Sequence, residues 1–373
     1  YPLFDGQQYP LPASIRVPDF EPWSPENPKL YDFSVVCGED RVESYFAMRK
    51  FSVEADQNGV KRLFLNGKPY FHNGLLDQGY WPDGLYTAPT DEAMIYDITT
   101  AKAMGFNMLR KHIKVECDRW YYHCDRLGML VWQDMVNGGS AYKHWFVTYL
   151  ATLMNWNHIS FSDDEKHAGL LSRLHPEGKD EFRREITETI AFLYNHPSIV
   201  VWVPFNEGWG QFDALAACEQ IRTLDSSRLV DHASGWFDQK GGDILSLHYY
   251  FLKLKFKPES KRAAALTEFG GYSLSIPGHS CCKKVYGYKK FNSTGTLTYG
   301  YIDLIRQTIL PAVKKGIGAT VYTQLSDIEE ETNGIYTYDR EICKIDPDTL
   351  RKWNRALKEA GECKTYADHT TDH

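Results

Sequence analysis

The sequence predicts an α/β fold built as a (β/α)8 TIM barrel, and three observations carry that expectation. Ile199–Val203 is an unbroken run of strand-forming apolar residues. A strand without polar alternation is buried on both faces, as in a parallel sheet covered by helices. At its end the composition switches to Asn206-Glu207-Gly208-Trp209. Ala263–Leu266 repeats the pattern and ends in Thr267-Glu268-Phe269-Gly270. In a β/α barrel the C-terminal ends of the strands carry the chemistry. Third, strand and helix patterns alternate from Leu63 to Ala360, and eight strands can be counted.

The elements follow in order. Residues 1 to about 30 are rich in Pro and aromatics, which excludes a helix and predicts an irregular lead-in. Leu30–Cys37 and Glu43–Val53 read as two strands around Gly38-Glu39-Asp40. Leu63–Gly74 reads as a hairpin with an Asn66-Gly67 turn feeding barrel strand one. A helix runs from Asp91 to about Met104, with Thr90 or Asp91 as its N-cap and Gly105 ending it. Strand two spans Asn107–Ile113, helix two Glu116–Leu127 and strand three Met129–Met135. Val136 to about Pro176 is too long for an ordinary connection and is expected to be a lid or subsite loop. Glu177–Tyr194 is a helix leading into strand four, and Gln211–Leu224 is helix four. Leu229–Gly235 and Asp243–Tyr250 are strands five and six, with helix-poor connections. A second irregular excursion, Tyr272–Thr296, follows strand seven. Thr298–Lys315 is a helix interrupted by Pro311, Gly318–Leu325 is strand eight, and Thr349–Ala360 closes the barrel. The polar tail 363–373 is expected to fray.

With 373 residues, 43% of them apolar, the chain can bury a large core. Net charge is −7. The one basic cluster, Lys253, Lys255, Lys257, Lys261 and Arg262, reads as a solvated loop, so nucleic acid is not expected as a partner. No apolar run is long enough to predict a membrane span. The eight cysteines show no CxxC or Cys/His metal spacing. They read as reduced core thiols, which slightly favours a cytoplasmic location. The chain begins at Tyr1, so its start says little about secretion.

Each strand-end glutamate taken alone could equally hold a structural arginine or cap a helix. The ordered pair Asn206-Glu207 and Thr267-Glu268-Phe269-Gly270 resembles the retaining barrel glycosidases. Together with Trp23-Ser24-Pro25-Glu26-Asn27-Pro28-Lys29-Leu30-Tyr31 and the entry Leu65-Asn66-Gly67-Lys68-Pro69, it resembles glycoside hydrolase family 2, the β-galactosidases, β-glucuronidases and β-mannosidases. The resemblance covers roughly residues 20 to 345. It implies that residues 1–60 hold the end of an immunoglobulin-like domain, a partial β-sandwich remnant ahead of a catalytic barrel at 61–362. It further implies that an N-terminal sugar-binding domain is missing.

The resemblance implies Glu268 as nucleophile and Glu207 as acid/base, with the charge of Glu268 raising the pKa of Glu207. It implies Asn206 on the sugar 2-hydroxyl and Tyr250 donating to the nucleophile. Arg110 and His112 would lie near the nucleophile and sugar, although Arg-Lys-His here departs from the family's longer Arg-x-Ser-His. Asp134 is either a sugar ligand or the partner of Arg110. His248, Trp209, Trp236 and His72 are further candidates for the barrel mouth. The lysine that clamps a uronate in β-glucuronidases is replaced by Asn333, preceded by Glu329, Glu330 and Glu331, which argues for a neutral sugar. A β-galactoside comes first, and a β-mannoside or β-glucuronide is the alternative. No cofactor and no metal are expected. A carbohydrate is the expected partner, and a homo-oligomer is left open. The competing classes are a weakly active carbohydrate-binding barrel and an endo-acting barrel hydrolase.

Overall fold

The computed structural model describes residues 16–157, 159, 161–250 and 254–362. The start of the lead-in, Lys253 and the polar tail fall outside the described residues. Eight strands run parallel: His72–Asp77, Met108–Lys111, Leu130–Asp134, Ile199–Val203, Leu229–Val230, Ile244–Tyr249, Ala263–Gly270 and Ile317–Thr323. Each pairs with the next in sequence, and the eighth returns to the first. Among the described residues the one exception is the fifth strand, which has no ladder to the sixth. There the sheet is held by Asp243 N–H donating to the Val230 carbonyl at 2.8 Å and Val230 N–H donating to Asp243 Oδ2 at 2.8 Å. The barrel is therefore nearly closed, with one seam.

Side chains alternate across the barrel wall even though the sequence shows no alternation, because both faces are dry. In the seventh strand Ala263 and Ala265 pack in the barrel interior, while Ala264 and Leu266 pack outward against helices. Helices Asp91–Ala103, Asp118–Leu127, Pro176–Leu193, Ala214–Leu224 and Pro347–Gly361 cover the outside. Thr90 caps the first of these, accepting from the Ala93 N–H. Thr294–Leu304 continues through a π-helical turn, Ile305–Ile309, into Leu310–Lys315. That turn accommodates Pro311, which has no N–H to give the helix ladder. Among the described residues no helix joins strands five to six or six to seven, in line with expectation.

Three departures from the sequence expectations have physical causes. The expected strand Glu43–Val53 is two strands, Asp40–Phe46 and Phe51–Ala55. Between them the Met48 carbonyl accepts from Trp23 N–H, the Lys50 carbonyl accepts from Asn66 N–H, and Lys50 N–H donates to Asn66 Oδ1, so no ladder can form there. The fifth barrel strand is two residues long rather than seven, although Ser234 still pairs with Asn206. The excursion after strand three is not an open loop. It folds a π-helical turn, Trp145–Leu150, and a helix, Ala151–Trp156, over a small core of Phe146, Val147, Leu171, Trp236 and Phe237.

Phe51–Ala55, Lys61–Leu65 and Lys68–Pro69 form a three-stranded antiparallel sheet. Its Phe51, Leu63 and Leu65 join the barrel's interior core together with Trp23. Trp23 is wholly buried, and its Nε1–H donates to the Asp125 carbonyl at 2.8 Å. The thiols are not uniformly core residues: Cys124 and Cys218 are buried, but Cys37, Cys117 and Cys281 are exposed. No helix among the described residues is long and apolar enough to cross a membrane.

Candidate active site

Arg110, at the C-terminal half of barrel strand two, is fully buried and organises the site. Its Nε and Nη2 grip Asp134 at 3.0 and 3.1 Å. Nη2 also donates to Asn206 Oδ1 at 2.8 Å, and Nη1 donates to Glu268 Oε1 at 3.2 Å and the Thr267 carbonyl at 3.1 Å. One guanidinium thus ties together the ends of strands two, three, four and seven. Burial opposes its charge, but Asp134 and Glu268 outweigh burial and raise its pKa. Asp134 also meets His112 Nδ1 at 3.0 Å. Burial works against the Asp134 carboxylate, and Arg110 with His112 overturns it, holding the group below its ordinary value. Asp134 thus holds both Arg110 and His112.

Glu268 is 4% exposed. Besides Arg110, it accepts from the Tyr250 hydroxyl, which also meets Thr323 Oγ1 at 3.2 Å. Tyr250 stacks on Tyr288 with ring centres 4.0 Å apart. Glycine is required at position 271 for this stack. Gly271 has φ +62°, and a Cβ there would lie 2.4 Å from Tyr288 Cδ2.

Glu207 sits four residues past the end of its strand with φ +50°, a left-handed conformation uncommon for a residue with a side chain. Its N–H donates to the Ser234 carbonyl at 2.9 Å. This bond and the following left-handed Gly208 turn the carboxyl into the mouth, where its side chain is 17% exposed. Oε1 meets His248 Nδ1 at 2.9 Å. Oxygens of Glu207 and Glu268 and a ring nitrogen of His248 all lie within 4.8 Å of one another. Burial lifts Glu207 to about 7 against the lowering pull of His112 and Arg110. The expected cause was the charge of Glu268; burial is the cause that raises Glu207 here. Burial also drops His248 to about 4, only partly offset by Glu268, so its ring is neutral near neutral pH. The spacing of these three groups would admit a divalent ion, yet each already has hydrogen-bond partners within the protein.

Trp236 is buried against His248, ring centres 5.4 Å apart, and Trp209 pairs with Tyr142 at 5.5 Å. Both tryptophans belong to the small core under the strand-three excursion. His72 does not reach the mouth. It opens strand one, and its Nδ1 accepts from Trp132 Nε1 at 3.1 Å inside the barrel.

Sequence reasoning missed Tyr288, Gln78 and Gln324. It also treated Glu329, Glu330 and Glu331 as one cluster. Glu330 is paired with Lys284 at 2.7 Å, whereas Glu331 Oε2 accepts from Gln324 at 2.8 Å and Gln78 at 3.3 Å. Glu331 is close enough to His112, Glu268 and Glu207 for their charges to act on it. Asn333 is buried and accepts from Gln324 Nε2 at 2.8 Å. These contacts join residues up to 253 positions apart. The one local hint was the Gly270-Gly271 pair after Glu268.

The family described as "Glycosyl hydrolases family 2, TIM barrel domain" matches residues 58–309, more than half of the chain. The chain belongs to that family. It is similar to a β-galactosidase of Leuconostoc mesenteroides subsp. mesenteroides, 26% identical over 385 residues, covering 97% of this chain and 33% of that protein. It is also similar to a β-galactosidase of Lactococcus lactis subsp. lactis, 27% identical over 63% of this chain and 22% of that protein. The chain therefore spans a third or less of these curated relatives. Among solved structures, a β-galacturonidase from Eisenbergiella tayi bound to galacturonate superposes with a TM-score of 0.67 at 19% identity, over 92% of this chain and 60% of that one. A β-D-glucuronidase of Dictyoglomus thermophilum gives 0.67 at 15% identity, over 91% and 60%. At these identities the structural likeness speaks for the fold.

Proposed function

We propose that this barrel is the catalytic domain of a retaining exo-β-glycosidase for neutral sugars, with a β-galactoside as the leading substrate. The observation that carries the reading is the approach of the two carboxylates, with oxygens of Glu207 and Glu268 within 4.8 Å. Retaining glycosidases hold their carboxyl groups about 5–5.5 Å apart, too close for a water to enter between carboxyl and sugar. Glu268, flanked by Arg110 and Tyr250, attacks the anomeric carbon. Glu207, lifted to about 7, gives its proton to the glycosidic oxygen as the bond to the aglycone breaks. In the second half-reaction Glu207, now ionised, takes a proton from water while that water displaces Glu268 from the sugar. Arg110 holds the Asn206 oxygen, which leaves the amide nitrogen to the sugar 2-hydroxyl.

Glu331 supports a neutral sugar. A half-buried carboxyl near the catalytic pair, with no lysine at position 333, would meet a uronate with like charge or a competing proton. A uronide is the second reading, because the solved structures above are named as uronidases. A panel of aryl β-galactoside, β-mannoside, β-glucoside and β-glucuronide, run with Glu207→Gln and Glu268→Gln, tests the proposal. Turnover of a neutral glycoside that both substitutions abolish is the expected result. Preference for the glucuronide would overturn the sugar assignment, and unchanged turnover in either variant would overturn the mechanism.

A further inference from the structure

A chain of hydrogen bonds leaves the mouth through the barrel's seam. Glu207 Oε1 meets His248 Nδ1 at 2.9 Å, and His248 Nε2 meets Ser234 Oγ at 3.1 Å. Ser234 Oγ meets Ser246 Oγ at 3.3 Å, and Ser246 Oγ meets Asp231 Oδ2 at 2.9 Å. Asp231, Ser234, Ser246 and His248 are all buried. Asp231 is fully buried, and its Oδ1 has no hydrogen-bond partner among the described residues. The glycosidase steps above make no use of it.

We propose that Asp231 and Glu207 share one proton through His248, Ser234 and Ser246, which makes Asp231 a positioning residue that sets the protonation state of the acid/base. The inference rests on the reading of Glu207 as that acid/base. In one state the Glu207 carboxyl donates to Nδ1, Nε2–H donates to Ser234, Ser234 donates to Ser246, and Ser246 donates to an ionised Asp231. In the other, Asp231 holds the proton and donates to Ser246, and every bond in the chain reverses. His248 then donates Nδ1–H to an ionised Glu207. Each hydroxyl gives one proton and takes one, so the two states differ only in which carboxyl carries the negative charge. Thr267 Oγ1, 2.5 Å from Ser246 Oγ, can donate to Ser246 in either state.

The charge environment keeps the two ends comparable. Glu207 faces His248, Arg110, His112, Glu268, Tyr250, Tyr288 and Glu331. Asp231 faces Arg110, His232 and Asp134. Burial lifts Asp231 to about 6, against Arg110 and His232, close to the value of about 7 at Glu207. A proton between two such sites is not trapped at either end.

The test is an infrared titration of the folded chain, which needs no substrate. The carbonyl band lost in Glu207→Gln reports Glu207, and the band lost in Asp231→Asn reports Asp231. In the parent protein each band should titrate in two linked steps, separated by about one pH unit or more. Ser234→Ala keeps both carboxyls and their separation but cuts the chain, so each band should collapse to a single step. Ser246→Ala is the second cut should the first variant fold poorly by thermal melting. Two-step titration persisting in a folded Ser234→Ala or Ser246→Ala would overturn the relay, since repulsion through space alone would then explain it. So would independent single steps in the parent. Where the glycoside panel shows turnover, the same cuts should move the alkaline limb of kcat/KM. If the panel shows none, the glycosidase reading fails while the infrared result still decides the proton sharing.

Discussion

Arg110 shows how one side chain sets both stability and chemistry. Its five N–H donors reach carboxylate, amide and carbonyl partners on separate strands, a geometry an ammonium cannot reproduce. Arg110→Lys should therefore lower kcat/KM by about 100-fold or more, while Arg110→Met, which leaves Asp134 buried without its guanidinium partner, should cost about 3–5 kcal/mol in denaturant unfolding. Equal stability of Arg110→Met and the parent would contradict the role given to the ion pair. Glu207 makes the opposite trade. Its carboxyl sits at about 7 folded against an ordinary 4.5, so below pH 4.5 both states keep the proton and stability is unaffected. As pH rises from 4.5 to 7 the unfolded chain releases its proton first, and stability falls. Glu207→Gln should match the parent near pH 4 and exceed it by on the order of 2 kcal/mol near pH 8. The same ionisation should give kcat/KM an alkaline limb near pH 7. Both glutamates, Asn206, Arg110 and His112 stood out in the sequence because each lies at or just beyond the C-terminal end of an apolar run. Glu331 and Asp231 owe their environment to partners brought in by the fold, which no local pattern encodes.

At the scale of elements, the connections after the strands decide the shape of the mouth. The excursion after strand three carries its own core and presses Trp236 toward His248. Sequence reasoning identified that excursion as functional in length but not as folded, because its apolar residues lack a long helical period. The connection after strand seven delivers Tyr288 onto Tyr250, and it can do so only over a residue without a Cβ. Gly271→Ala should displace Tyr288, loosen the hydroxyl that Tyr250 gives to Glu268, and lower kcat by about tenfold with a stability loss of about 1–3 kcal/mol. Steady-state kinetics beside thermal melting separates the two effects. An unchanged kcat would show that the tyrosine stack does not govern Tyr250.

For the whole molecule, the chemical end and the anchoring end of the barrel are opposite. Trp23, Phe51, Leu63 and Leu65 fill the end where the strands begin, far along the chain from either glutamate. Trp23→Ala should cost about 3–5 kcal/mol and leave the pH dependence of turnover in place. A shifted pH profile would mean that the two ends are coupled. The positions of the eight strands could be read from apolar runs in the sequence, since a dry parallel strand needs no polar alternation, but their lengths could not all be read. The two-residue fifth strand could not, because its apolar residues look the same whether or not a neighbour pairs with them.

That short strand has a mechanical consequence. A hoop with a single weak joint flexes at the joint, and here the joint is bridged by one backbone bond and side-chain bonds rather than a ladder. Deuterium should enter the amides around Val230 and Ile244 before those of the other barrel strands. The wall would then breathe beside Glu207 and stay stiff behind Glu268, giving room on the departing side of a sugar while the attacking side holds still.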